Sequence, residues 1–150
     1  MPEGRALGLA FHFCHFGHVA EVAEVSVDES KKITVHKVTV VADVGPIINL
    51  SGAEAQAEGS VMDALSTMAA QEITVEDGRV QQSNFDDYPL LRMKKDLPVV
   101  ETHFIQSEFS PTGLGEPMFP PVAPAVCNAV FSVTGQRIRT LPISKEGYSV

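Results

Sequence analysis

The chain has 150 residues, 44% of them hydrophobic and 20% charged, which suits one globular domain with a real core and is too short for two. Nineteen acidic residues against eleven basic ones give a net charge of −8, and no basic stripe stands out, so a nucleic-acid partner is excluded. No apolar run reaches the roughly 18 residues of a membrane span. The stretch from Met1 to Phe11 has no h-region, so no signal peptide is expected. Cys14 and Cys127 alone cannot hold an iron–sulfur cluster or a four-ligand zinc.

The first 45 residues read as strands. Val19 to Val27 alternates, imperfectly, between apolar and polar residues, and Ile33 to Val44 is rich in β-branched residues. Asp28-Glu29-Ser30-Lys31 between them is turn chemistry, so the pair forms a hairpin that stops at Asp43-Val44-Gly45-Pro46. Ser51 and Glu54 have capping-box spacing, and Ala53, Ala57, Val61, Ala64, Leu65 and Met68 recur at helical spacing, predicting a helix over about 51–70. Small residues around Gln56 in its first half leave room for something to lie against it.

Glu72 to Asn84 reads as a hairpin turning at Asp77-Gly78, and residues 85–98 as irregular. Val99 to Gln106 reads as a strand, followed by a loop rich in Pro and Gly. A second helix is expected over 121–134, with Pro121 suited to its first turn and Gly135 to its C-terminal stop. Arg137 to Ile143 reads as a short closing strand. The sum is an α+β domain with a mostly antiparallel sheet and two main helices.

Three clusters could carry chemistry. His12, Cys14, His15 and His18 are metal-ligand types, but on a strand His12 and Cys14 share a face and His15 points away, and the spacing matches no zinc signature, so no metal site is assigned. Arg92-Met93-Lys94-Lys95 is a basic run that reads as a solvated loop able to steer an anion. Gly113-Leu114-Gly115-Glu116-Pro117 sets one carboxylate on a stiff loop framed by glycines. Such a carboxylate can be a general base, or can simply stabilise the next helix through its dipole.

That third motif, with Pro120-Pro121, Pro124 and Thr134-Gly135-Gln136-Arg137-Ile138-Arg139, resembles the C-terminal end of the molybdenum-binding subunits of the xanthine dehydrogenase and aldehyde oxidase family. The likeness is greatest to the isoquinoline 1-oxidoreductase β-subunit group. It extends through Gly4-Arg5 to Gly45, Asn49 to Gly59, and Ser83-Asn84-Phe85 to Met93. Val44, Leu50 and His18 stand where Cys, Pro and a small hydroxyl residue are frequent.

The resemblance implies a molybdenum hydroxylase that oxidises an N-heterocycle or aldehyde with water as oxygen source and passes electrons to iron–sulfur clusters on another subunit. Glu116 takes the place of the family's catalytic glutamate, and Gln56 and Gly115 take cofactor-binding places beside a molybdenum–molybdopterin. Family subunits are several times longer. Residues 1–150 are therefore expected to form a single domain, the C-terminal part of a subunit, as a truncated piece, a split subunit or a remnant that is inactive alone. Its expected partners are the remainder of that subunit, an iron–sulfur small subunit and a small-molecule substrate, with self-association as a further expectation. The expected compartment is the cytoplasm or, by way of a partner's signal, the periplasm, with the cytoplasm favoured of the two. The rival reading is a non-catalytic structural or assembly module that keeps the fold without cofactor.

Overall fold

A computed structural model describes residues 1–92 and 97–150. Three antiparallel strands open the chain: β1 (Arg5–Cys14), β2 (Gly17–Val27) and β3 (Ile33–Asp43). β1 and β2 are joined by His15 and Phe16, both in the left-handed region at φ 52° and 64°, the twist a two-residue hairpin needs. The β2–β3 turn is held by Asp28, whose Oδ1 accepts the Ser30 and Lys32 amides at 2.9 Å each. Helix α1 (Leu50–Ala70) follows, and then a minimal hairpin, β4 (Val75–Glu76) and β5 (Arg79–Val80). β6 (Val99–Phe104) returns to lie parallel to β3, from Lys37↔Val99 to Ala42↔Phe104, which gives the sheet order β1-β2-β3-β6. Helix α2 (Val122–Thr134) and a 3₁₀ turn (Ile143–Glu146) complete the fold.

Alternation decides the two faces of the sheet. Val19, Ala23, Val25, Val38 and Val40 are fully buried beneath the helices, whereas Leu7, Leu9, Phe11 and Phe13 of β1 lie exposed on the opposite face. α2 crosses directly over β1 at Gly8, where a Cβ would lie 2.1 Å from the Ala125 carbonyl oxygen. Only glycine allows that approach. Glu21 occupies an inward position between Val19 and Ala23, fully buried, and among the described residues neither carboxyl oxygen has a hydrogen-bond partner. Burial pushes its carboxyl up to about 8.

Both main helices stand within one residue of the expected 51–70 and 121–134, and the α+β class with a mostly antiparallel sheet holds. Three local readings are corrected. Ser51 is not the N-cap: Asn49 is extended (φ −126°, ψ 98°) and its Oδ1 accepts the Gly52 amide at 3.0 Å, so Ser51 already lies inside the helix. The hairpin expected over Glu72–Asn84 turns at Asp77-Gly78, but its ladder is only two residues a side because Val75, Glu76, Arg79 and Val80 are all exposed and no buried face extends it. No strand forms over Arg137–Ile143. Glu146 Oε1 takes the Arg139 and Thr140 amides at 2.9 and 2.8 Å, and Pro142 has no amide to give a ladder.

Candidate functional site

Two segments remote in sequence meet beyond the end of β3. Gly45, at φ +80°, has its Cβ direction filled by the Phe109 and Ser110 carbonyl oxygens at 2.8 and 2.9 Å, so the loop after β6 crosses directly over it. The Ser107 hydroxyl donates to Asp43 Oδ1 at 2.6 Å, and the Thr112 amide donates to the Val44 carbonyl at 3.0 Å. These bonds tie the loop to the sheet.

Past Thr112 the loop turns toward α1. The Ser60 hydroxyl donates to the Gly115 carbonyl at 2.6 Å, and the Gln56 amide nitrogen sits 3.5 Å from where a Gly115 Cβ would stand. Small residues on this part of α1 permit the approach, Ala57 and Ser60 being buried there while Gln56 keeps its amide in solvent. Glu116 comes next. Its carbonyl accepts the Phe119 amide at 3.0 Å, while its side chain is exposed and no hydrogen bond to its carboxylate is made by any described residue.

Gln56, Gly115 and Glu116, which the sequence singled out separately, are therefore brought together. A hollow of about 350 Å³ opens beside them, lined by Val44, Asn49, Gly52, Gln56, Thr112 and Leu114. Cys14 lies within electrostatic reach: burial, and after it the Glu116 carboxylate, push its thiol above the ordinary value. The other two clusters behave differently. His12 and Cys14 sit on the inner side of β1 and His18 on the outer face of β2, where its ring centroid is 4.9 Å from that of Phe13. Among the described residues no group of three or more His, Cys, Asp or Glu is placed to hold a metal. Arg92 is exposed, and Met93, Lys94 and Lys95 lie outside the described residues.

The family model described as a molybdopterin cofactor-binding domain matches residues 4–98. The chain belongs to that family. The matched segment includes Gln56 and stops short of Glu116. The β-subunit of isoquinoline 1-oxidoreductase from Brevundimonas diminuta is 35% identical over 141 residues, 93% of this chain and 18% of that protein. The xanthine dehydrogenase molybdenum-binding subunit of Escherichia coli O157:H7 is 35% identical over 120 residues, 75% of this chain and 16% of that protein. The solved structure of quinoline 2-oxidoreductase from Pseudomonas putida 86 shares the fold, with a TM-score of 0.72 at 23% identity over 85% of this chain and 17% of that one. The chain thus spans less than a fifth of the length of these relatives.

The site suits the family's cofactor in chemistry. A pterin needs donors and acceptors at its rim, and the Gln56 amide supplies both at the edge of the hollow. No helix among the described residues is long and apolar enough to cross a membrane. Sequence reasoning missed Ser60, Thr112 and Asn49. Ser60 had a signal, being a polar residue one helical turn after Gln56, on the side of α1 that carries Ala57, Val61 and Ala64.

Proposed function

We propose that this chain is the C-terminal part of a molybdenum hydroxylase's large subunit, a single domain that contributes Glu116 as general base and Gln56 and Gly115 as cofactor contacts. The enzyme it serves oxidises an N-heterocycle or aldehyde, with water as the oxygen source. The observation that carries this reading is the meeting of Gln56 with the Glu116 loop, its amide nitrogen 3.5 Å from where a Gly115 Cβ would stand, beside an open hollow. When bound, the molybdenum–molybdopterin supplies oxygen-transfer and two-electron chemistry. The chain's own residues do the rest. Gln56 holds the pterin by its amide, Gly115 keeps side-chain bulk off the loop, and the Glu116 carboxylate receives the proton that the incoming water-derived oxygen must lose. Its lack of a hydrogen bond to any described residue leaves it ready for that role.

The partners we propose are the remainder of the subunit and an iron–sulfur small subunit that takes the electrons. In support, Leu7, Leu9, Phe11 and Phe13 form an exposed apolar stripe that continues into Phe16, 84% exposed, and Phe109, 57% exposed. A stripe of this kind marks a surface that other protein covers. Without those neighbours the same stripe favours self-association.

The test is Glu116→Gln in the complete, loaded enzyme. The amide keeps the shape and loses the base, so the rate should fall by about 10²–10⁴-fold with molybdenum content unchanged. Activity within a few-fold of wild type overturns the assignment. Gln56→Ala should instead lower the amount of pterin retained through gel filtration.

A further inference from the structure

Two serines on α1 are buried, and both reach other segments. Ser66 accepts the Leu91 amide at 2.9 Å. Ser60, only 6% exposed, donates to the Gly115 carbonyl at 2.6 Å across 55 residues of sequence. The helix itself has no need of a hydroxyl there, since alanine is the better helix former. The bond's consequence lies in the loop. The Gly115 carbonyl belongs to the rigid peptide plane that also contains the Glu116 nitrogen and α-carbon. Glycine leaves the torsion before that plane unusually free, so whatever holds the oxygen fixes the nitrogen and α-carbon from which the Glu116 side chain departs. Upstream the loop is tied at Thr112 to Val44, and downstream the Glu116 carbonyl is taken by Phe119. Ser60 supplies the remaining restraint, on the plane between them.

We propose that Ser60 is the positioning residue of the Glu116 loop, its hydroxyl setting, through the Gly115 carbonyl, where the Glu116 carboxylate stands. The inference deepens the reading of Glu116 as the base, and its importance for turnover rests on that reading.

The 150-residue chain carries its own reporter in Cys14, whose thiol is raised partly by the Glu116 carboxylate. Cys127, pushed up to about 11 by burial and then by Glu146, is followed separately on its own peptide. The experiment is the pH profile of Cys14 alkylation by iodoacetamide, followed by peptide mass spectrometry, in a double-mutant cycle of Ser60→Ala and Glu116→Gln. Glu116→Gln should move the midpoint to lower pH. Ser60→Ala should move it the same way, Ser60→Thr should restore it, and Ser60→Ala should add nothing once Glu116→Gln is present. An unmoved midpoint in Ser60→Ala overturns the proposal, as does a shift of equal size with or without the Glu116 carboxylate. A cycle that holds while Glu116→Gln leaves the complete enzyme active removes the base reading and keeps Ser60's hold on the loop.

Discussion

Glu21 stands in the middle of β2 with both carboxyl oxygens buried and unpartnered among the described residues, whereas Glu116 stands on a loop with its backbone tied on either side and its carboxylate in solvent. The same side chain meets two opposite environments within one short chain. Around Glu21 the described residues supply apolar surroundings and no counter-charge, so the neutral acid is the form that packs. Around Glu116 the fold constrains the main chain and leaves the carboxylate unclaimed. The fold thus spends its apolar surroundings on one carboxylate and its backbone hydrogen bonds on the loop that carries the other.

The largest separation of the two should come from replacing each carboxyl by an amide. Glu116→Gln takes rate from the complete enzyme by about 10²–10⁴-fold and leaves the fold alone. Glu21→Gln should leave the rate alone and change stability with pH. The carboxyl of Glu21 rises from an ordinary 4.5 to about 8 in the fold. Its neutral form thus favours folding fully below about 4.5, and the contribution is lost as pH rises through about 8. Wild type and Glu21→Gln should match near pH 4 and diverge above pH 8, with the variant more stable by on the order of 4 kcal/mol. Urea unfolding at both pH values checks this, and a gap independent of pH would show that Glu21 is not held neutral.

The contrast also depends on α2 covering the inner face, and smaller changes test that. Gly8→Ala forces a methyl into the Ala125 carbonyl. It should cost about 1–3 kcal/mol and lower the melting temperature by several degrees. Smallest is the cap of α1, at the foot of the hollow beside Gln56. Asn49→Ala should cost about 1 kcal/mol and Ser51→Ala clearly less, as read by thermal unfolding. Equal costs would return the cap to Ser51.

What the sequence disclosed, it disclosed through local rules. Helical spacing and Pro/Gly punctuation locate both helices within one residue, while alternation locates β2 and a β-branched run locates β3. Readings failed where a side chain captured a backbone amide. Asn49 took the cap from Ser51, and Glu146 took the amides that a closing strand would have used. Glu21 was legible in principle, since a period of two through Val19, Ala23 and Val25 puts it on the core face. The glycine-framed loop marks Glu116 and the small residues of α1 mark Gln56, while likeness to a family gives the two their expected roles. That Gly115 lies beside Gln56 and is bonded by Ser60 could not be read, because no local pattern encodes contacts between segments 55 or more residues apart.

That separation also bears on the order in which the domain assembles. The β1–β2–β3 meander is closed by the tight turn at His15–Phe16 and the short one at Asp28–Lys32, so its contacts cost little loop-closure entropy. The bonds that seat the Glu116 loop, from Ser60 to Gly115 and from Thr112 to Val44, close loops spanning 55 and 68 residues. Non-local contacts of this kind form late in folding. We therefore expect newly made chains to acquire a sound three-stranded meander before the Glu116 loop is seated on α1, leaving an interval in which the molecule is folded enough to survive while that loop is still free.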